Sequence, residues 1–88
     1  MPRTERDIDE AKRDRHKRQM GAALRMIRER AEITVAEQSR RTGISRSTID
    51  RLEAGDSWPT AETLTALLTA APGLGLAYAM TAAEAEVR

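Results

Sequence analysis

Apolar residues recur three and four positions apart along much of this chain, which is the spacing that places side chains on one face of an α-helix. The first such series comprises Leu24, Ile27 and Ala31, with Met20 and Ala23 near the same face. It predicts a helix over about residues 19–31. Arg28 also falls between these apolar positions.

The stretch over residues 33–55 reads ITVAEQSRRTGISRSTIDRLEAG and predicts a helix, a tight turn and a second helix. Thr34 is placed to cap the first helix, and Glu37 follows three residues later, as in a capping box. Gly43 supplies the left-handed conformation that ends this helix after about Thr42.

The second helix begins after Ser45 as its N-cap and runs to about residue 53, with Gly55 closing it. Ile49 and Leu52 lie three positions apart and are predicted to face inward. The side chains predicted to face outward are Arg46, Ser47, Asp50 and Arg51. Two short helices joined by a short turn that contains glycine form a helix-turn-helix motif.

A further helix is predicted between Thr60, as its N-cap, and Pro72-Gly73, which ends it. After this break, large and small side chains alternate over residues 74–80. A period of two favours a strand, which would find no partner in its own chain and would pair with the same strand of a second copy. The alternative is a fifth helix, since Ala and Leu are good helix formers. The predicted dimer contacts are Leu74, Leu76, Tyr78 and Met80.

Residues 1–18 are almost entirely polar or charged, and they predict either a disordered arm or a solvated extension of the first helix. A flexible or frayed tail is favoured over a basic arm that follows the DNA backbone, in which Lys12, Arg13, Arg15, Lys17 and Arg18 would contact phosphates. The formal net charge of the chain is only +1. The distribution is more informative, because residues 12–18 read KRDRHKR and the last 28 residues contain a single base. The concentration of basic residues in the N-terminal part of the chain suits a surface that binds a polyanion.

The composition excludes several classes of function. The chain has no cysteine and one histidine, so neither a disulfide nor a cysteine or multi-histidine metal site is expected. No nucleophile–base pair or glycine-rich phosphate loop is visible, so neither an enzyme nor a cofactor is expected. No apolar run approaches the length of a membrane span, and no signal-peptide pattern occurs, so a soluble cytoplasmic protein without membrane contact is expected.

The helix-turn-helix stretch resembles the domain of phage repressors and Cro proteins, the XRE group of regulators. The resemblance covers about residues 20–71. The residues that carry it are Thr34, Glu37, Gly43, Ile44, Ser45, Ser47, Thr48, Ile49, Arg51, Leu52, Glu53, Gly55 and Pro59. It implies an all-α, four- to five-helix repressor-like fold, here with a possible C-terminal dimerisation strand. The expected division is an arm at 1–18, the DNA-binding domain at 19–71 and a dimerisation segment at 72–88.

The resemblance also implies roles for individual residues. Arg46, Ser47 and Arg51 would read bases, and arginine suits guanine because its planar fork forms two parallel hydrogen bonds. Contacts with the DNA backbone are expected from Thr34, Ser45 and Thr48 within the motif. Outside the resemblance, the basic charge of residues 12–18 adds Arg15, Lys17 and Arg18 to these expected contacts. Arg28 and Glu53 would form a structural ion pair.

Four positions of the first motif helix depart from the family pattern. Val35 replaces a glutamine that commonly contacts the DNA backbone, so this contact is not expected here. Gln38 and Thr42 replace aliphatic residues, and Ser39 replaces alanine. These changes predict a thin core under this helix, and Gln38 must find a hydrogen-bond partner or turn to solvent.

The function that follows is a sequence-specific regulator of transcription that binds double-stranded DNA as a homodimer on an inverted repeat. A repressor is favoured, either a phage Cro-like or immunity regulator or an antitoxin that represses its own operon and binds a toxin. The alternative is a protein-interaction module that kept the fold but binds DNA weakly or not at all.

Overall fold

The computed structural model describes residues 4–87, and for residues 5–8 it describes the backbone. Within this part of the chain there are five helices and no strand. The helices are α1 (Glu5–Arg30), α2 (Val35–Thr42), α3 (Arg46–Glu53), α4 (Ala61–Ala70) and α5 (Leu76–Glu84). The predicted all-α class is confirmed, and the two helices of the motif lie where the sequence places them.

Helix α1 is about twice as long as the helix predicted over residues 19–31, because it already begins at Glu5. From residue 5 onward, the N-terminal residues therefore extend the first helix and do not form a disordered arm. The physical basis of this extension is local: residues 5–18 contain no glycine or proline and are rich in good helix formers. The packed second half of α1 also supplies the nucleus that an isolated helix lacks.

The strand favoured over residues 74–80 is wrong, because α5 begins at Leu76. Ala79 and Ala83 lie four positions apart and are completely buried. Their small side chains allow α5 to approach α1, and the helix satisfies its own backbone groups, which a lone strand would leave unpaired. The alternation of large and small residues is thus a by-product of alanines on both faces of a helix.

The core consists of two clusters of buried apolar residues that share α1. One lies between α1, the end of α4 and α5, and its buried members are Ala23, Ile27, Ile33, Ala71, Ala79 and Ala83. The other lies between α1, α3 and α4, and its buried members are Leu24, Ile49, Leu52 and Leu67. Because α1 contributes to both, it is the element against which the motif and the C-terminal segment are positioned.

Two glutamine side chains connect helices by donating hydrogen bonds to backbone carbonyl groups of another helix. Gln38 is 3% exposed, and its side-chain nitrogen donates to the Leu67 carbonyl of α4 at 3.4 Å. Gln19 donates in the same way to the Met80 carbonyl of α5 at 2.7 Å. Of the two alternatives for Gln38, a buried hydrogen-bond partner or exposure to solvent, the structure has the first. The hydrogen bond is long, but it reduces the cost of burying the amide.

None of the helices described here is long and apolar enough to cross a membrane.

Candidate functional site

Helix α2 begins at a side-chain cap, as predicted. Thr34 has an extended backbone, and its hydroxyl oxygen accepts from the Glu37 backbone N–H at 3.0 Å. The Glu37 carboxylate accepts instead from the guanidinium groups of Arg40 and Arg41, the latter at 2.8 Å. These two hydrogen bonds lower the pKa of Glu37. One carboxylate therefore offsets part of the positive charge on the outer face of α2.

The turn between α2 and α3 is held by side-chain hydroxyl groups. Gly43 adopts the left-handed conformation with φ of 77°, which ends α2. The Ser39 hydroxyl donates to the Ile44 carbonyl at 2.6 Å, and the Ile44 N–H donates to the Thr42 hydroxyl oxygen at 3.1 Å. Ser39 and Thr42 both depart from the family pattern. The structure shows their use: they satisfy backbone groups of the turn.

The N-cap of α3 is Ser45, whose hydroxyl oxygen accepts from the Thr48 backbone N–H at 3.2 Å. The same hydroxyl donates its proton to the Thr48 hydroxyl oxygen at 2.8 Å. Since a hydroxyl has a single proton, Ser45 has none left for a ligand, whereas the Thr48 hydroxyl still has its own. Of Ser45 and Thr48, both predicted to contact the DNA backbone, Thr48 is therefore the one whose hydroxyl can donate to a phosphate.

Helix α3 has a buried side and an exposed side. Ile49 is 1% and Leu52 3% exposed, and they fix the helix to the core. The exposed side presents Arg46, Ser47, Asp50 and Arg51. In the part of the chain that the structure describes, none of the three charged members of this group forms an ion pair. Arg46, Asp50 and Arg51 therefore keep their hydrogen-bonding capacity for a ligand. Asp50 was not predicted as a reader, although its position between the arginines was visible in the helical spacing.

Arg28 and Glu53 form the predicted ion pair at the end of α3. The Arg28 Nε and Nη2 atoms donate to the two Glu53 carboxylate oxygens at 2.7 and 2.9 Å. Arg28 Nη1 also donates to the Ile33 carbonyl at 3.0 Å. Both side chains are largely buried, and the hydrogen bond to Glu53 is the main cause that raises the pKa of Arg28. The pair anchors α3 to α1.

A close approach of backbones also positions α3. A Cβ atom on Gly21 would lie 2.4 Å from the Leu52 carbonyl oxygen and 2.7 Å from that of Glu53. A Cβ atom on Gly55 would lie 2.7 Å from the Arg18 Cα. The end of α3 therefore rests directly on α1 without intervening side chains. This contact was not predicted, and its one local signal in the sequence is Gly21 inside an otherwise favourable helix.

The remaining predicted contact residues are dispersed. Thr34 is exposed at the start of α2, whereas Arg15 and Arg18 lie on the exposed surface of α1. Lys17 is partly buried and its amino group lies 3.8 Å from a carboxylate oxygen of Asp14.

The four residues predicted to form the dimer contact differ in how far they are buried. Leu74, Leu76 and Met80 are partly buried against the core cluster of their own chain. Tyr78 is 69% exposed. Among the four residues, Tyr78 is the one that keeps a large apolar surface for another molecule.

A comparison with protein families matches residues 19–84, three quarters of the chain, to a model described as a helix-turn-helix domain. This domain occurs in XRE-like regulators, in agreement with the resemblance found in the sequence. The matched range includes all of α2–α5 and the second half of α1, and it leaves out residues 1–18. Comparisons with curated proteins and with solved structures give no significant match.

Proposed function

Because the chain belongs to the helix-turn-helix domain family, we propose that it is a transcriptional regulator that places α3 in the major groove of double-stranded DNA. The observation that carries the proposal is the exposed side of α3. It presents Arg46 and Arg51, which form no ion pair within residues 4–87, on a helix that follows a turn fixed by hydrogen bonds. In this motif the second helix enters the major groove, and its first residues contact base edges.

The exposed side of α3 offers the chemistry that base reading needs. Arg46 and Arg51 each provide a fork of donors that suits guanine. Ser47 can donate or accept, and the Asp50 carboxylate can accept from the cytosine amino group. Phosphates would be contacted by the hydroxyl groups of Thr34 and Thr48, next to the partial positive charge at the start of their helices. Such contacts orient the protein but do not read sequence.

Alanine at Arg46 or Arg51 is expected to weaken binding to the cognate sequence by about 1–3 kcal/mol each, because each change removes up to two hydrogen bonds to a base. The cognate sequence would first be selected from a pool of random duplexes with the unaltered protein. Fluorescence anisotropy would then compare this duplex with a scrambled one. Equal losses on both duplexes would show that the arginines contact phosphates and would contradict the reading role.

The proposal includes a homodimer on an inverted repeat, since a helix of eight residues contacts few base pairs and a second copy doubles the contacts. Support comes from the outer face of α5, where Tyr78 stands exposed among small side chains. A twofold dimer brings the same surface patch of both copies together, so the exposed face of α5 would pack on its own copy there.

Tyr78→Asp is expected to shift the dimer to a monomer, because a carboxylate would have to be buried in the contact. Light scattering coupled to gel filtration measures the mass directly. Thr65→Asp, on the exposed side of α4, is the matched control and should leave the dimer intact. A Tyr78→Asp protein of unchanged dimer mass would refute α5 as the contact.

The simplest mode of action is repression by occupying a promoter, since the proposal requires DNA binding alone. A phage Cro-like or immunity regulator and an antitoxin that represses its own operon both fit this mode. They differ in partner: an antitoxin must also bind a toxin. Copurification with the product of the adjacent gene would distinguish them.

A protein-interaction module is the second candidate, and one observation favours it. Val35, where the family commonly has a glutamine that contacts the DNA backbone, is partly buried in the second core cluster and has no side-chain donor. The first turn of α2 thus lacks one phosphate contact. If the selection from random duplexes enriches no sequence, this candidate replaces the first.

A further inference from the structure

Asp50 places a negative charge on a helix surface whose other exposed side chains are positive or neutral. Its neighbours on the exposed side of α3 are Arg46, Ser47 and Arg51. Duplex DNA is a polyanion, so a carboxylate on a helix in its groove weakens binding to DNA of any sequence. Asp50 is therefore useful on α3 only if it contributes something other than general affinity.

The helical spacing places Asp50 close to the centre of the exposed side. Ile49 and Leu52 are 1% and 3% exposed and define the buried side. At about 100° per residue, Ser47 lies within about 10° of the opposite direction, and Asp50 and Arg51 lie about 50° to either side of it. Asp50 therefore points away from the domain as directly as Arg51 does.

Asp50 does not hold α3 in place. Within residues 4–87 its carboxylate forms neither an ion pair nor a hydrogen bond. The hydrogen bond to Glu53 is the main cause that raises the pKa of Arg28, and the charge of Asp50 is the smallest of the causes that raise it. The Asp50 carboxylate is therefore available to a ligand of α3.

A carboxylate accepts hydrogen bonds and has none to donate. Among the base edges of the major groove, cytosine presents an amino group as a donor, and aspartate is one of the side chains that accept from it. Guanine presents two acceptors, and thymine presents an acceptor and a methyl group. Adenine places an acceptor directly beside its amino group. Cytosine is therefore the base that suits Asp50.

A base that does not suit Asp50 is penalised. The carboxylate would lose contact with water in the groove and find no donor, and such an unsatisfied polar group is costly. The arginines of α3, by contrast, are attracted to every duplex through the phosphates. Specificity is a difference between affinities, and an unpaired charge against the wrong partner increases this difference.

We propose that Asp50 determines one base pair of the recognised sequence as cytosine paired with guanine, and that it does so mainly by rejecting the other bases. This inference rests on the proposed function and deepens it, because it names a base that the target must contain. Asp50 lowers the affinity for DNA in general and restores it where cytosine is present.

The test uses the full chain with Asp50→Asn, which keeps the shape of the side chain, removes the charge and adds a donor. Asparagine is the side chain that pairs with the amino group and N7 of adenine. Selections from a pool of random duplexes with the two proteins are therefore expected to differ at one position per half-site, with adenine in place of cytosine.

Fluorescence anisotropy gives the size of the effect. Changing this cytosine to adenine should weaken binding of the unaltered protein on the order of 10-fold and should strengthen binding of the Asp50→Asn protein. On a scrambled duplex the Asp50→Asn protein should bind more tightly than the unaltered one, because a repelled charge has been removed.

The matched control is Asp56→Asn, the same chemical change at an exposed residue beyond the end of α3. It should select the same sequence as the unaltered protein. Urea titration of the Asp50→Asn protein should give an unchanged midpoint of unfolding, since no contact within the domain is lost.

If the Asp50→Asn protein selects the same base as the unaltered protein at every position, Asp50 contacts no base and the inference is wrong. A lower urea midpoint together with equal losses on all duplexes would make Asp50 structural and would also overturn it. In both cases, specific binding by the unaltered protein still supports the proposed function. If the unaltered protein enriches no sequence, the proposed function is refuted and this inference with it.

Discussion

Gly21→Ala is expected to destabilise the protein by about 3 kcal/mol, although alanine is the better helix former by about 1 kcal/mol. The reason is steric. The new Cβ atom would lie 2.4 Å from the Leu52 carbonyl oxygen and 2.7 Å from that of Glu53. Both are backbone atoms of α3 and cannot rotate away, so α3 must move from α1 as a unit.

The measurement is the free energy of unfolding from urea titration followed by circular dichroism. Gly75→Ala is the matched control, because nothing lies within 4 Å of its Cβ position and its φ of −73° suits any residue. We expect a change within about 0.5 kcal/mol there. Propensity alone predicts a gain for Gly21→Ala, so the sign of the result decides between helix propensity and backbone contact.

Glu53→Ala is expected to lower the free energy of unfolding by about 3 kcal/mol, the second large effect. The side chains of Arg28 and Glu53 are only 13% and 10% exposed. Removing the carboxylate leaves a guanidinium group that is shielded from water and has lost two hydrogen bonds, which typically costs 3–5 kcal/mol. The low end applies because Arg28 keeps its hydrogen bond to the Ile33 carbonyl.

The control is an ion pair of the same type on the surface. The Arg25 Nε and Glu29 Oε1 atoms lie 3.4 Å apart, and the two side chains are 53% and 62% exposed. Glu29→Ala should cost about 0.5 kcal/mol or less, since water screens exposed pairs. The double change Arg28→Met/Glu53→Met should recover much of the loss, because it leaves no unpaired charge. Equal losses for Glu53→Ala and Glu29→Ala would show that burial does not strengthen the inner pair.

The parts of the fold that the sequence predicted well are those with local causes. Thr34, Ser45 and Thr60 each accept a hydrogen bond from the backbone N–H three residues later. Such caps lie within a few residues of sequence, so the boundaries of α2, α3 and α4 can be found without knowledge of the rest of the chain. The same holds for Gly43, whose positive φ marks the end of α2.

The parts that were missed depend on distant surfaces. Residues 74–80 have the alternating pattern of a strand. They nevertheless form a helix, because α1 offers a surface that Ala79 and Ala83 can approach closely. The contact between Gly21 and α3 joins residues that lie more than 30 positions apart, so no local pattern reveals it. In the site, helical spacing located the exposed side of α3. It did not show that Ser45 gives its proton to Thr48.

The division of α3 into two sides also bears on how such a protein evolves. Ile49, Leu52 and Glu53 secure the helix to the domain, whereas Arg46 and Asp50 make no ion pair within residues 4–87. Changes at these exposed positions therefore cost little stability, since surface substitutions usually alter it by less than about 0.5 kcal/mol. If α3 reads bases as proposed, a lineage of such proteins can acquire new target sequences through single substitutions while its members stay folded, and paralogues can diverge in specificity without compensating mutations in the core.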